Sequence, residues 1–156
     1  MIDPNAPDQL RSIELRRTYP APPNRVFAAW TRPELLKMWW GVADGYTTPL
    51  AEVDLKVGGR YRLGMLPPDR DDLIVISGEY QVIEPPEKLV FSWEIESKSG
   101  PDMISTITLQ FLKKGNSTEL VLTHEYTGPA EMGENFKEGW GGMLVRLARI
   151  LNTRSV

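Results

Sequence analysis

The sequence predicts an α+β domain: a curved seven-stranded antiparallel sheet, two short helices after its first strand, and a long C-terminal helix packed over it. Three observations predict it. Apolar and polar residues alternate through most of 52–125, the period of strands that bury one face. Helical spacing brackets that segment, over 24–40 before it and over 130–152 after it. Turn formers such as Gly58-Gly59, Pro85-Pro86 and Gly115-Asn116 cut the alternation into hairpin-sized pieces.

Residues 1–11, with two prolines and two aspartates among the first ten, are expected to be a flexible terminus, the domain to span 12–152, and 153–156 to be a tail. A first strand over Ser12–Thr18 puts Ile13 and Leu15 on one face, and the run Tyr19-Pro20-Ala21-Pro22-Pro23 ends it. Proline suits a first helical turn, and Val26, Phe27 and Trp30 then form an apolar stripe over Asn24–Trp30. Thr31 with Glu34 has the spacing of a capping box, so a second short helix is expected through Leu35, Leu36, Trp39 and Trp40. Gly41–Pro49 has no period and reads as a loop.

The strands follow. Val53, Leu55 and Val57 alternate into a turn at Gly58-Gly59, and Tyr61, Leu63 and Met65 return from it. Pro67–Asp72 is an exposed loop, its acidic cluster a solvated turn. In Leu73–Glu84, Ile74, Ile76, Tyr80 and Val82 share a face, with Gly78 marking a bulge or a close backbone approach. Leu89, Phe91, Trp93 and Ile95 form the next apolar face. After a turn over Ser97–Asp102, Ile107, Leu109 and Phe111 do the same, and Leu120, Leu122 and His124 complete the sheet. Phe136, Trp140, Leu144, Leu147 and Leu151 lie at helical spacing on the terminal helix. Its acidic residues Glu131, Glu134 and Glu138 lie near the start and Arg146, Arg149 and Arg154 near the end, as the helix dipole favours.

Composition excludes much chemistry. The chain has 156 residues, no Cys and one His, so disulfides, thiol catalysis and zinc clusters are not expected. A net charge of −3 without a Lys/Arg cluster argues against nucleic acid. No apolar run approaches the ~18 residues of a membrane span, and the start lacks a signal-like pattern, so a cytoplasmic location is expected.

A straight helix across a twisted sheet leaves volume at the concave face. The residues expected to face it are Trp40, Tyr61, Met65, Tyr80, Trp93, His124, Trp140 and Met143, and these are the candidate ligand-binding positions. Buried hydroxyl, indole and imidazole groups require partners, in the protein or on a ligand. Of the Trp39-Trp40 pair, one ring is expected to anchor the core and the other to lie near the cavity mouth. Gly139, Gly141 and Gly142 inside a helix each cost about 1 kcal/mol relative to Ala. Tight packing, a later helix start, or room for a bound molecule beside Trp140 would each account for them.

Several stretches together resemble a known family. Tyr19-Pro20-Ala21-Pro22, Val26-Phe27-Ala28-Ala29-Trp30-Thr31, Pro33-Glu34 and Trp39-Trp40 look like the opening of domains similar to the activator of heat shock protein 90 ATPase. Val57-Gly58-Gly59-Arg60-Tyr61, Gly78, the stretch from Ile83 to Leu89, Thr118 to Glu125, and Gly139-Trp140 with Leu144 follow in the same order, so the resemblance covers about Ile13 to Leu151. It implies membership of the START-like, birch-pollen-allergen-like (SRPBCC) superfamily and a helix-grip fold. Members of that superfamily bind lipids, sterols, polyketides or proteins, and some are enzymes. The resemblance therefore implies pocket-lining positions and no catalytic set.

The leading functional expectation is a domain that holds a small hydrophobic or aromatic ligand between sheet and C-terminal helix. The alternative is a protein-interaction or stress-response (co-chaperone-like) module using an exposed apolar patch around Trp39. A cavity enzyme such as a cyclase or hydrolase is the third, with His124 and Glu125 as its nearest acid–base groups. No cofactor, metal or catalytic residue is assigned. Candidate partners are the small ligand, a protein, and a second copy of the chain meeting through exposed strands.

Overall fold

The structure, a computed structural model, describes residues 9–96 and 104–152. The expected turn at Ser97–Asp102, Arg154 and the tail at 153–156 lie outside the described residues, as does most of the expected flexible terminus. In chain order the elements are β1 (Leu10–Tyr19), α1 (Pro23–Thr31), α2 (Pro33–Trp39), β2 (Thr47–Val53), β3 (Arg60–Leu66), β4 (Ile74–Glu84), β5 (Lys88–Ile95), β6 (Ser105–Lys114), β7 (Ser117–Thr127) and α3 (Ala130–Leu151). The seven strands form one antiparallel sheet in the order β1-β7-β6-β5-β4-β3-β2. This is the expected α+β helix-grip architecture, with α3 and the α1–α2 pair packed against the sheet's apolar face. No helix among the described residues is long and apolar enough to cross a membrane.

Alternation sets that face. Leu89, Ile107, Leu109 and Leu122 have no exposed surface, and burying each stabilises the fold by roughly 1.5–3 kcal/mol. Leu144 and Leu147 of α3 meet the same core.

Several expectations are corrected. β1 starts at Leu10, pairing with Thr127, two residues earlier than periodicity indicates. No capping box forms: Thr31 closes α1, and its hydroxyl donates to the Phe27 carbonyl at 2.9 Å. The break between the helices comes from Pro33, because a residue preceding proline is driven out of the helical region. Arg32 accordingly has φ −95° and ψ 123°. The strand expected through Leu55 and Val57 stops at Val53, leaving Leu55 and Val57 exposed in a wider turn, while Thr47, Thr48 and Pro49 belong to β2. Gly58, at φ +85°, lets that turn bend back so that the Gly58 amide donates to the Tyr80 carbonyl.

Gly78 resolves as a close approach. A Cβ there would overlap the Ser92 carbonyl oxygen of β5. The register shift lies further on, between Tyr80 and Val82, so Ile83 packs on the core in place of Val82. Ile95 emerges from the inward row and is 44% exposed at the sheet's open end.

Candidate functional site

The interior beneath α1, α2 and α3 is an aromatic assembly that includes all five tryptophans of the chain. Trp30 and Trp39 meet edge to face at 4.7 Å between ring centroids, Trp40 meets Trp140 at 5.9 Å, and Trp140 meets Trp93 at 6.4 Å. Trp39 is the anchor. It is fully buried, with its indole Nε1 donating to the Ala29 carbonyl at 3.0 Å. The apolar patch expected around Trp39 is therefore not formed by that ring; its neighbour Met38 is the exposed side chain.

Trp40 separates two spaces. On one side Trp30, Tyr61, Leu63, Tyr80 and Phe91 close around a void of about 10 Å³, no larger than a single water requires. The middle of the domain is thus filled. On the other side, between the sheet and α3, lies a cavity of about 260 Å³. Its sheet wall is Met65, Ile76 and Trp93, and its helix wall is Phe136, Trp140 and Met143. Val42 from the loop after α2 closes one flank, and Ile95 and exposed Asn135 stand at the mouth.

The candidate positions thus divide. Trp40, Met65, Trp93, Trp140 and Met143 border the larger cavity, whereas Tyr61 and Tyr80 face the small void. Tyr61 is internally satisfied, its hydroxyl donating to the Ser92 carbonyl at 2.7 Å, which the missing side chain of Gly78 allows. Burial pushes the Tyr61 and Tyr80 phenols upward from their ordinary pKa, so both stay protonated at neutral pH.

His124 borders neither space. It lies behind the wall, stacked on Phe136 at 4.1 Å, with Trp93 at 5.0 Å. The Trp140 indole donates to Nδ1 at 3.0 Å, and Nε2 lies 2.7 Å from the Ser105 hydroxyl. An indole N–H only donates, so Nδ1 is unprotonated and the neutral ring carries its proton on Nε2. The same tautomer follows from the other side. Ser105 Oγ donates its hydrogen to the Trp93 carbonyl at 3.1 Å and therefore accepts from His124. Burial depresses the imidazole from 6.5 to about 3, so it carries no titrating proton near neutrality. Among the described residues, no group of three or more His, Cys, Asp or Glu side chains could hold a metal ion.

The helical glycines serve different ends. A Cβ on Gly142 would overlap the Val42 carbonyl oxygen, so this glycine seats the loop against α3. A Cβ on Gly139 would meet only Val42 Cγ1, at 3.8 Å, and Gly139 borders the cavity. Arg146, expected to complement the helix dipole, reaches across to the loop: its guanidinium donates to the carbonyls of Trp40 at 3.5 Å and Tyr46 at 3.3 Å. Arg149 pairs with Asp44 in the same loop. Sequence reasoning missed Val42, Ile74, Ile76, Ile95, Asn135 and Phe136 as cavity-lining residues, although the apolar parity of β4 and β5 and the helical stripe of α3 carried four of them.

A curved antiparallel sheet gripping a long C-terminal helix around an apolar hollow defines a cavity-type helix-grip domain. The family described as Activator of Hsp90 ATPase homolog 1-like protein matches residues 20–152, and this chain belongs to it. Solved structures share the fold. Protein CV1439 from Chromobacterium violaceum is 28% identical with a TM-score of 0.78, covering 92% of this chain and 98% of its own. The AHSA1 protein SPO3351 from Silicibacter pomeroyi is 24% identical with a TM-score of 0.80, covering 91% and 98%. A protein from Arthrobacter aurescens shares the fold at 20% identity, with a TM-score of 0.80 and coverage of 92% and 87%. No curated protein matches the chain.

Proposed function

We propose that the domain binds a small hydrophobic or aromatic molecule in the cavity between β3–β5 and α3. The supporting observation is the cavity of about 260 Å³, walled by Trp40, Trp93, Trp140, Met65 and Met143. An apolar wall of that kind favours an apolar guest, since each buried methylene stabilises the complex by about 0.8 kcal/mol. The methionines adapt to irregular shapes at little cost. His124, held neutral and doubly bonded, supports binding over acid–base turnover.

Naphthalene serves as a probe. It raises the melting temperature of the wild-type protein, because a ligand that binds only the folded state stabilises it. Gly139→Leu, which sends a side chain into the cavity beside Val42, abolishes that rise while leaving the circular dichroism spectrum unchanged. An equal rise in both proteins, or none in the wild type, would count against the proposal. Native mass spectrometry of gently purified protein adds a direct search for a retained molecule.

A further inference from the structure

The two edges of the sheet are built differently. β2 is blunted: Pro49 lies within it, and its register with β3 shifts between Thr47 and Leu50. Proline and bulges protect an edge strand from pairing with another chain. β1 has neither. Its ten residues pair with β7 in an unbroken register, and among the described residues no strand lies on its other side.

Hydrogen bonding fixes which groups face that open side. The Gly128 amide donates to the Gln9 carbonyl at 3.2 Å, and Gln9 stands opposite Gly128 in the register that pairs Leu10 with Thr127. Bonded and non-bonded pairs alternate along an antiparallel ladder. The odd-numbered residues from Arg11 to Tyr19 therefore bond β7, whereas Ser12, Glu14, Arg16 and Thr18 turn their N–H and C=O groups to the free edge. The Arg16 carbonyl agrees with this phase. It accepts from the Arg17 guanidinium at 2.8 Å, which leaves its second lone pair open.

The side chains along this edge complement a second copy of themselves. A two-fold axis at Leu15 sets Glu14 directly opposite the second copy's Arg16 and Arg16 opposite the second copy's Glu14, with Ser12 and Thr18 opposed on either flank. The adjacent axes fail. One at Glu14 sets carboxylate against carboxylate, one at Arg16 sets guanidinium against guanidinium, and like charges directly opposite are destabilising. Both side chains are half exposed, and Arg16 has Glu119 of β7 at 3.7 Å. The Leu15 axis thus places each Arg16 between its own Glu119 and the second copy's Glu14. We propose that the protein forms a two-fold dimer in which β1 pairs antiparallel with β1 of a second copy about Leu15, joining two seven-stranded sheets into one.

Sedimentation equilibrium of the full chain is expected to show a monomer–dimer equilibrium. Glu14→Arg, like Arg16→Glu, opposes like charges twice across the axis and is expected to weaken association about tenfold or more. The double variant Glu14→Arg/Arg16→Glu restores complementarity and is expected to return to within about threefold of the wild type. Ser12→Pro removes an N–H that faces outward, so the circular dichroism spectrum is expected to persist while pairing is lost. Should that variant lose the wild-type spectrum, the charge-swap series, confined to exposed side chains, decides alone. Amide exchange locates the surface. Raising the protein concentration is expected to slow exchange at Ser12, Glu14 and Arg16 and to leave Ile13 and Leu15 unchanged. A wild type still monomeric at about 0.5 mM, a dimer that survives in folded Ser12→Pro, a single charge swap without effect, a double variant that does not recover, or concentration-independent exchange at the outward amides overturns the proposal.

Discussion

The Val42 carbonyl rests on the bare Cα of Gly142, closer than any side chain there would permit. This contact brings the loop after α2 against α3 and makes Val42 a wall of the cavity. It also reverses the usual sign of a helix substitution. Replacing an interior helical glycine by alanine ordinarily stabilises by up to about 1 kcal/mol. At Gly141, where an added Cβ meets nothing within 4 Å, that gain is expected in full. At Gly142 the clash is with rigid backbone, and a net loss of roughly 1–3 kcal/mol is expected. Urea denaturation of Gly141→Ala and Gly142→Ala checks both signs in one experiment, and a stabilised Gly142→Ala would contradict the contact.

His124 makes stability depend on pH. Its folded pKa of about 3 lies below the ordinary 6.5, so between those values the unfolded chain binds a proton that the folded chain refuses. Stability is therefore unaffected by this group above pH 6.5 and falls as pH drops through the window, by at most about 1.4 kcal/mol per pH unit. His124→Gln lacks the titration. The stability difference between wild type and variant is expected to shrink steadily from pH 7 to pH 5, a range largely above carboxylate titration; a constant difference would mean that the imidazole protonates equally in both states.

Arg146 and Arg149 hold the same loop in different ways. Arg146 is partly buried and donates to two backbone carbonyls, Trp40 and Tyr46, whereas the Asp44–Arg149 pair stands in solvent. Exposed pairs contribute little. Hydrogen exchange of residues 42–46 is expected to quicken several-fold in Arg146→Met, with no resolvable change in Asp44→Asn. Equal effects would mean that the charge pair, and not the carbonyl bonds, fixes the loop.

The sheet was legible where one face is dry and the other wet. Ile107, Leu109 and Phe111 against Thr106, Thr108 and Gln110 permit one register only, since a slip of one residue would expose the apolar row. Leu55 and Val57 show the limit of that logic: alternation over so few residues also arises in an exposed turn, and both side chains are in solvent. Thr47–Val53 was hidden because Pro49 is a strand breaker in the interior of a sheet, and it is tolerated here because β2 is an edge strand. Thr31 satisfied the spacing of a cap, but Pro33 settled where the helices part.

The site was half legible for a similar reason. That Trp40, Trp93 and Trp140 face inward follows from local period. Which of their indoles is already satisfied does not, because the His124–Trp140 bond depends on how α3 lies over β7, and the Ser105–His124 bond on the pairing of β6 with β7. Val42 lies in a segment without any period, and only the absent side chain at Gly142 hints that something comes close.

The bonds running from the Trp140 indole through His124 and Ser105 to the Trp93 carbonyl connect the two opposing banks of the cavity. The chain has one histidine, so the nitrogen resonances of that single ring form a gauge requiring no label beyond isotope. A guest that wedges the helix away from the strands lengthens the link at Nδ1, and the imidazole registers the strain from outside the chamber.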